Sequence, residues 1–146
     1  MITNVAIVNV FVQDQQSALA FYTYILGFKI RDDVSIDGNF RWCTVGHPNQ
    51  PELLLSLVEF GPPLPQELAA SLRRAQRAGG WRGLGFNVDN CQQTYVELIA
   101  KGVEFVQEPL ARPYGTEAVC RDNSGNWIVL IEATDHTLTP SKNGKS

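Results

Sequence analysis

A strand–helix–strand phrase occurs twice in this chain, and such a duplication restricts the available folds more than any single residue does. The first copy runs Val10-Phe11-Val12-Gln13-Asp14, a helical stretch from Gln15 to Leu26, then Gly27-Phe28-Lys29-Ile30. The second runs Leu84-Gly85-Phe86-Asn87-Val88-Asp89-Asn90, a stretch from Cys91 to Lys101, then Gly102-Val103-Glu104-Phe105. Val12 corresponds to Val88, Asp14 to Asn90 and Gly27 to Gly102, at a spacing of about 75 residues. Two copies are too few for an open solenoid and describe a duplicated module that closes on itself. A chain of this kind makes a cleft between or beneath its halves.

Local chemistry marks out the elements of each copy. Val5 to Val12 is β-branched and nearly continuous in apolar residues, as in a strand covered on both sides. Asp14 can accept hydrogen bonds from the free N–H groups of the next helix and serves as its N-cap. Ala18, Leu19, Tyr22, Ile25 and Leu26 recur at spacings of three and four and form one apolar stripe. Gly27 supplies the positive φ that ends a helix cheaply. Further strands are expected at 28–34, 40–45, 52–58, 81–88, 103–108, 115–121 and 127–133, separated by turn-rich stretches. A short helix opens at Pro65, carries Leu68, Leu72 and Ala75, and stops at Gly79-Gly80. These elements predict a single domain over residues 1–134, with a first module at 1–60, a connector helix within 61–80 and a second module at 81–134. Residues 135–146 read as a frayed polar tail.

Composition excludes several classes of partner. The 146 residues are 44% hydrophobic, enough for a real core, and the net charge of −3 offers nothing to nucleic acid. Arg73, Arg74 and Arg77 read as the solvated face of a helix. No segment reaches the roughly 20 apolar residues that cross a bilayer, and Met1 to Val12 reads as a strand, not a signal peptide. Cys43, Cys91 and Cys120 are odd in number and widely spaced, which argues against a disulfide framework or zinc knuckle. The expected location is the cytoplasm.

The phrases Val12-Gln13-Asp14, Ala20-Phe21-Tyr22, Leu26-Gly27-Phe28 and Lys101-Gly102-Val103-Glu104-Phe105 recur in this order in one known superfamily. Pro113-Tyr114-Gly115 and Arg121-Asp122-Asn123-Ser124-Gly125-Asn126-Trp127 complete the set, which spans Val5 to Glu132. The chain thereby resembles the vicinal oxygen chelate superfamily of glyoxalase I, type I extradiol dioxygenases, fosfomycin-resistance proteins and bleomycin-resistance proteins. The resemblance implies an α+β fold of two β-α-β-β-β modules, forming an open eight-stranded pair of half-barrels around a ligand cleft. It also implies metal-ligand positions, and these depart from the pattern. They fall on Ile7, Gly83 and Val129, with a fourth candidate among Leu53, Leu54 and Leu55, none of which offers an oxygen or imidazole donor. His47 reads as a turn residue and His136 as part of the tail, so no resident metal and no cofactor are expected.

Strand alternation points to the residues that line the cleft. If Ile7 faces inward, so do Asn9 and Phe11, and on the fifth strand Gly83, Gly85 and Asn87 do the same. On the last two strands the inward set is Glu117, Val119, Arg121, Trp127, Val129 and Ile131. Asn9 and Asn87 read as corresponding positions of the two copies, either contacting a ligand or bonding each other or the backbone. Glu117 and Arg121 form either a ligand-binding pair or a cross-strand ion pair on the rim. Trp42 and Trp127 are planar surfaces for stacking, or core filler. Gly83 and Gly85 remove bulk from one wall, leaving room for a ligand or for a neighbouring Trp. Cys91 follows a helix cap, where a thiolate would be favoured, but no base partner is evident. The candidate binding residues are therefore Asn9, Phe11, Trp42, Asn87, Glu117, Arg121 and Trp127.

Three functions remain open. The first is a metal-free protein that holds an apolar or aromatic organic molecule, as bleomycin-resistance proteins do. The second is a glyoxalase-like lyase or isomerase with an atypical site, using either an unrecognised metal site or a metal-free mechanism with Glu117 as base. The third is a regulatory or interaction module on the same fold. The expected partners are a small organic ligand and a second copy in a homodimer, with neither nucleic acid nor membrane.

Overall fold

A computed structural model describes residues 1–38 and 40–134. The chain divides into two compact units, Met1–Gly80 and Trp81 onward. The first contains β1 (Ile7–Val12), α1 (Gln15–Ala20), β2 (Lys29–Ile36), β3 (Phe40–His47), β4 (Gln50–Glu59) and α2 (Gln66–Arg77). The second contains β5 (Trp81–Asn87), α3 (Cys91–Ala100), β6 (Phe105–Arg112), β7 (Gly115–Arg121) and β8 (Asn126–Ala133). Each unit holds one four-stranded sheet, in the order β1-β4-β3-β2 or β5-β8-β7-β6. The first strand of each sheet runs parallel to the last, and the other pairings are antiparallel. The fold is α+β, with eight strands and three α-helices among the described residues, and neither sheet closes into a barrel within them.

The expected caps are in place in both copies. Asp14 Oδ2 accepts from the Ser17 amide at 2.8 Å, and Asn90 Oδ1 accepts from the Gln93 amide at 3.0 Å. Gly27 and Gly102 end the helices with φ of 85° and 86°, a region that side-chain-bearing residues avoid. The first helix departs from regularity beyond Ala20. Residues Phe21–Ile25 form a π-helical turn, in which the Leu26 amide reaches back to Phe21 O at 3.1 Å. Within it, Thr23 Oγ1 donates to Leu19 O at 2.7 Å, a back-bond that competes with regular helix geometry.

Each helix of a β-α-β phrase buries one face of its own sheet. Under α1 lie Val10, Val12, Cys43, Val45, Leu55 and Leu57, meeting Ala18, Leu19 and Tyr22. Under α3 lie Ala118, Cys120, Ile128 and Leu130, meeting Cys91 and Leu98. A fully buried Leu or Ile contributes about 1.5–3 kcal/mol relative to exposure, so each of these two seams is a principal source of stability for its unit.

Helix α2 docks differently from its apolar pattern. Ala69 and Gln76 are buried while Leu68 and Ala75 are exposed, so the inward stripe is Ala69, Leu72, Arg73 and Gln76. Gln76 Nε2 donates to Phe11 O at 2.6 Å, and Gln13 Nε2 donates to Gln76 Oε1 at 2.5 Å and Arg73 O at 3.0 Å. Arg73 donates through Nη1 to Phe60 O, so it is part of the packing and not of a solvated face. The connector helix thus belongs to the first unit, held by amide groups that a search for apolar periodicity passes over.

The turn between β7 and β8 is organised by one buried carboxylate. Asp122 Oδ1 accepts from the amides of Ser124 and Asn126, both at 2.9 Å, and Oδ2 accepts from Asn126 Nδ2 at 2.8 Å. Removing it leaves buried donors unsatisfied. Asp122→Ala is expected to lower stability by about 2–4 kcal/mol, read from urea unfolding. A loss below about 0.5 kcal/mol would show that the turn is held by its backbone alone.

Candidate functional site

Alternation along each strand sends one set of side chains under the helix and the other to the opposite face. In the first unit that opposite face carries Ile7, Asn9 and Phe11 of β1, with Ile7 and Asn9 exposed. Asn9 pairs with Ser56, Ser56 with Thr44, and Thr44 with Asp32, so a polar row crosses all four strands. Thr44 Oγ1 donates to Asp32 Oδ2 at 2.7 Å within it. Trp42 sits one step further along β3, paired with Val34, and Phe11 stacks on Phe60 with ring centroids 4.5 Å apart. Sequence reading missed Asp32, Thr44 and Ser56. Their common signal was alternation, invisible until the strand register was known.

In the second unit the corresponding face carries Gly85 and Asn87 of β5, Glu117, Val119 and Arg121 of β7, and Trp127, Val129 and Ile131 of β8; a register shift in β5 sets Arg82, not Gly83, opposite Trp127. Arg121 pairs with Trp127, Val119 with Val129, and Glu117 with Ile131, which also pairs with Asn87. The structure therefore groups Asn9, Phe11 and Trp42 on one sheet, and Asn87, Glu117, Arg121 and Trp127 on the other.

Two expected relationships are corrected. Asn9 lies five positions before its cap Asp14 and Asn87 three before its cap Asn90, so they are not equivalent; Asn9 matches Gly85 and Asn87 matches Phe11. Glu117 and Arg121 do not pair either, because three residues separate them along β7 and each takes another partner. Glu117 accepts from the Tyr114 hydroxyl and lies 3.9 Å from Arg112 Nε. The hydrogen bond to Glu117, with some desolvation, pushes the Tyr114 phenol up. Arg112 Nη2 donates to Gln107 Oε1 at 3.2 Å, and Gln107 Nε2 to Glu117 O at 3.2 Å. Tyr114 belongs to a phrase the sequence made visible, but its bond to Glu117 depended on the hairpin.

Arg121 instead reaches Glu104 Oε1 with Nη1 at 3.4 Å, and its guanidinium carbon lies 6.0 Å from the Trp127 ring centre. Arg121 Nε and Trp127 Nε1 are both buried without a hydrogen-bond acceptor among the described residues. Each such donor carries a desolvation cost of about 1–3 kcal/mol.

Comparison with known proteins now places this arrangement. The family model described as Glyoxalase/Bleomycin resistance protein/Dioxygenase superfamily matches residues 4–130. The chain belongs to this superfamily. It is 34% identical to the protein YurT of Bacillus subtilis (strain 168), over 88% of this chain and 98% of that one. The crystal structure of UcmS2 is similar at a TM-score of 0.85 and 43% identity, covering 91% of this chain and all of that one. That of TnmS3, an antibiotic binding protein from Streptomyces sp. CB03234, is similar at 0.71 and 28%, covering 91% and 98%.

The superfamily's metal positions can be tested against this geometry. Ile7 and Val129 present hydrocarbon, and Gly83 has no room for a ligand: a Cβ there would lie 2.8 Å from Trp127 O and 3.1 Å from Asn126 Cβ. Among the described residues, no three His, Cys, Asp or Glu side chains come together. The residues present do not fit a divalent cation at the superfamily position. His47 ends β3 and accepts from the Asn49 amide through Nδ1 at 3.0 Å, while His136 and the polar tail lie outside the described residues. Of the two readings of Gly83, room for a ligand or for a neighbouring Trp, the geometry fits the second, since it is the backbone of Trp127 on β8 that approaches. No helix among the described residues is long and apolar enough to cross a membrane.

Cys91 is buried, and burial, then Glu132 and Glu117, push its thiol up, which opposes the thiolate a helix N-terminus would favour. Cys120 is pushed up to about 12 from 9.0, chiefly by burial and then by Asp122. Unfolded and folded forms both hold this proton below pH 9, so stability is unaffected there. Between about pH 9 and 12 the unfolded thiol ionises while the folded one does not, and stability falls. Cys120→Ala should flatten that part of the unfolding profile; an unchanged slope would reject the assignment. Separately, Gly83→Ala should cost about 1–3 kcal/mol because β8 backbone must move, whereas the Cβ of Gly85→Ala would meet only Val129 O at 3.9 Å. Equal melting temperatures for the two variants would refute the close-approach argument.

Proposed function

We propose that this protein binds a small apolar or aromatic organic molecule without a resident metal, against the helix-free faces of its sheets. Asn9, Phe11, Trp42, Asn87, Glu117, Arg121 and Trp127 are the binding residues in this reading. The observation that carries it is the exchange at the superfamily's metal positions: hydrocarbon and glycine stand where donors would be, while Trp127, Arg121 and Asn87 remain on the same face. Mostly apolar surfaces with few polar groups are the usual composition of organic-ligand sites. The similarity to an antibiotic binding protein supports the same reading. Glu117 is engaged by Tyr114 and Arg112, which favours a binding role over that of a free base.

A homodimer is part of the proposal. Val34 is 53% exposed, Ile36 46% and Phe40 51%, neighbouring apolar side chains of β2 and β3 that a second copy would cover. A cytoplasmic location rests on three unpaired cysteines, all buried.

Thermal-shift screening of aromatic compounds, followed by titration of a hit, tests the reading. Trp127→Ala should weaken binding about tenfold or more through lost burial and stacking, and Arg121→Ala should act most on anionic ligands. A hit bound equally by wild type and both variants would move the site elsewhere. Elemental analysis after metal-replete expression should find no stoichiometric divalent metal; its presence would favour the lyase or isomerase reading. Light scattering should give twice the 16.2 kDa chain mass, and a monomer at micromolar concentration would remove the dimer.

A further inference from the structure

The two unpartnered donors of the second unit occupy a built position. Arg121 and Trp127 are register partners on adjacent antiparallel strands, so their side chains leave the same face side by side. Each directly flanks the turn that Asp122 and Asn126 lock with buried hydrogen bonds, which fixes the backbone beneath both. Glu104 takes only the Nη1 end of Arg121, at 3.4 Å, and its own side chain is 66% exposed and well solvated. It leaves Arg121 Nε and Trp127 Nε1 without an acceptor, and both are shielded from bulk water.

We infer that Arg121 and Trp127 form a two-donor clamp for the carboxylate of an aromatic acid, with the indole acting through its N–H as well as its ring. This rests on the small-molecule reading above and specifies the ligand class that the same face selects. The guanidinium supplies the charge, and its Nε–H and the indole N–H supply two directed hydrogen bonds to an anionic oxygen pair. The next row on the face is Gly85, Val129 and Val119, ending on β6 at Gln107, whose side-chain amide is taken up by Glu117 O and Arg112; its three apolar positions suit the flat hydrocarbon body attached to such a head group. The Arg121 side chain is 27% exposed, and admitting the head group to the buried donors requires its outer end to swing aside.

The test uses the intact chain with 2-naphthoate and its neutral analogue 2-naphthalenemethanol. Calorimetry on wild type should show the acid binding about tenfold or more tightly than the alcohol. Trp127→Phe keeps an aromatic surface but removes the N–H, and Arg121→Lys keeps the charge but removes Nε–H; each should erase most of that preference. The indole N–H resonance of Trp127, assigned by replacing each tryptophan in turn, should move on adding naphthoate and stay still with the alcohol. This second readout on the wild-type protein decides the matter even if a variant folds poorly. Equal binding of the two compounds, or a preference that survives both substitutions with an unmoved indole resonance, overturns the clamp and leaves the binding reading intact. Failure of both compounds to bind overturns the two together.

Discussion

Each four-stranded sheet is covered on one face by the helix of its own β-α-β phrase, and this single seam decides what the other face presents. Because side chains alternate, placing Val10, Val12, Leu55 and Leu57 beneath α1 forces Asn9, Phe11 and Ser56 to the opposite side. Placing Ala118, Cys120, Ile128 and Leu130 beneath α3 does the same for Glu117, Arg121, Trp127 and Val129. A slip of one residue in any strand would exchange the two sets, at the cost of exposing the whole seam. Hydrophobic burial therefore holds the candidate site in register even though none of its residues belongs to the seam.

Polar groups fix what burial leaves free. Asp122 ties the turn that flanks Arg121 and Trp127, and Gln76 with Gln13 ties α2 to the edge strand β1. In both places a buried side chain satisfies backbone groups that would otherwise be orphaned. The exceptions stand out against that economy. Arg121 Nε and Trp127 Nε1 are left unpaired in a unit whose other buried side-chain nitrogens and oxygens are satisfied among the described residues. Unsatisfied buried donors are unfavourable for folding, and they point to a role in recognition.

Membership of the glyoxalase/bleomycin resistance/dioxygenase superfamily gives the architecture but not the chemistry, because one fold hosts many functions. At Gly83, one of the positions the resemblance implies for a metal ligand, the geometry is as restrictive as the chemistry. The backbone of β8 approaches Gly83 too closely for any side chain, so restoring a histidine there would require moving a strand.

Much was readable before any coordinates. The repeat, the caps Asp14 and Asn90, the paired terminators Gly27 and Gly102, and the division of β1, β7 and β8 between a helix-covered and an opposite face all follow from local chemistry and alternation. These depend on neighbours in sequence, where spacing is the physical variable. What failed depended on neighbours in space. The equivalence of Asn9 and Asn87, the pairing of Glu117 with Arg121 and the buried side of α2 all turned on strand register and side-chain reach. Tyr114 meets Glu117 because a hairpin folds them together, and Asp32, Thr44 and Ser56 share a row because three separate strands align. Sequence determined which face each residue would take; only the tertiary structure decided which residues would meet there, because cross-strand contacts are set by pairing that no local pattern encodes.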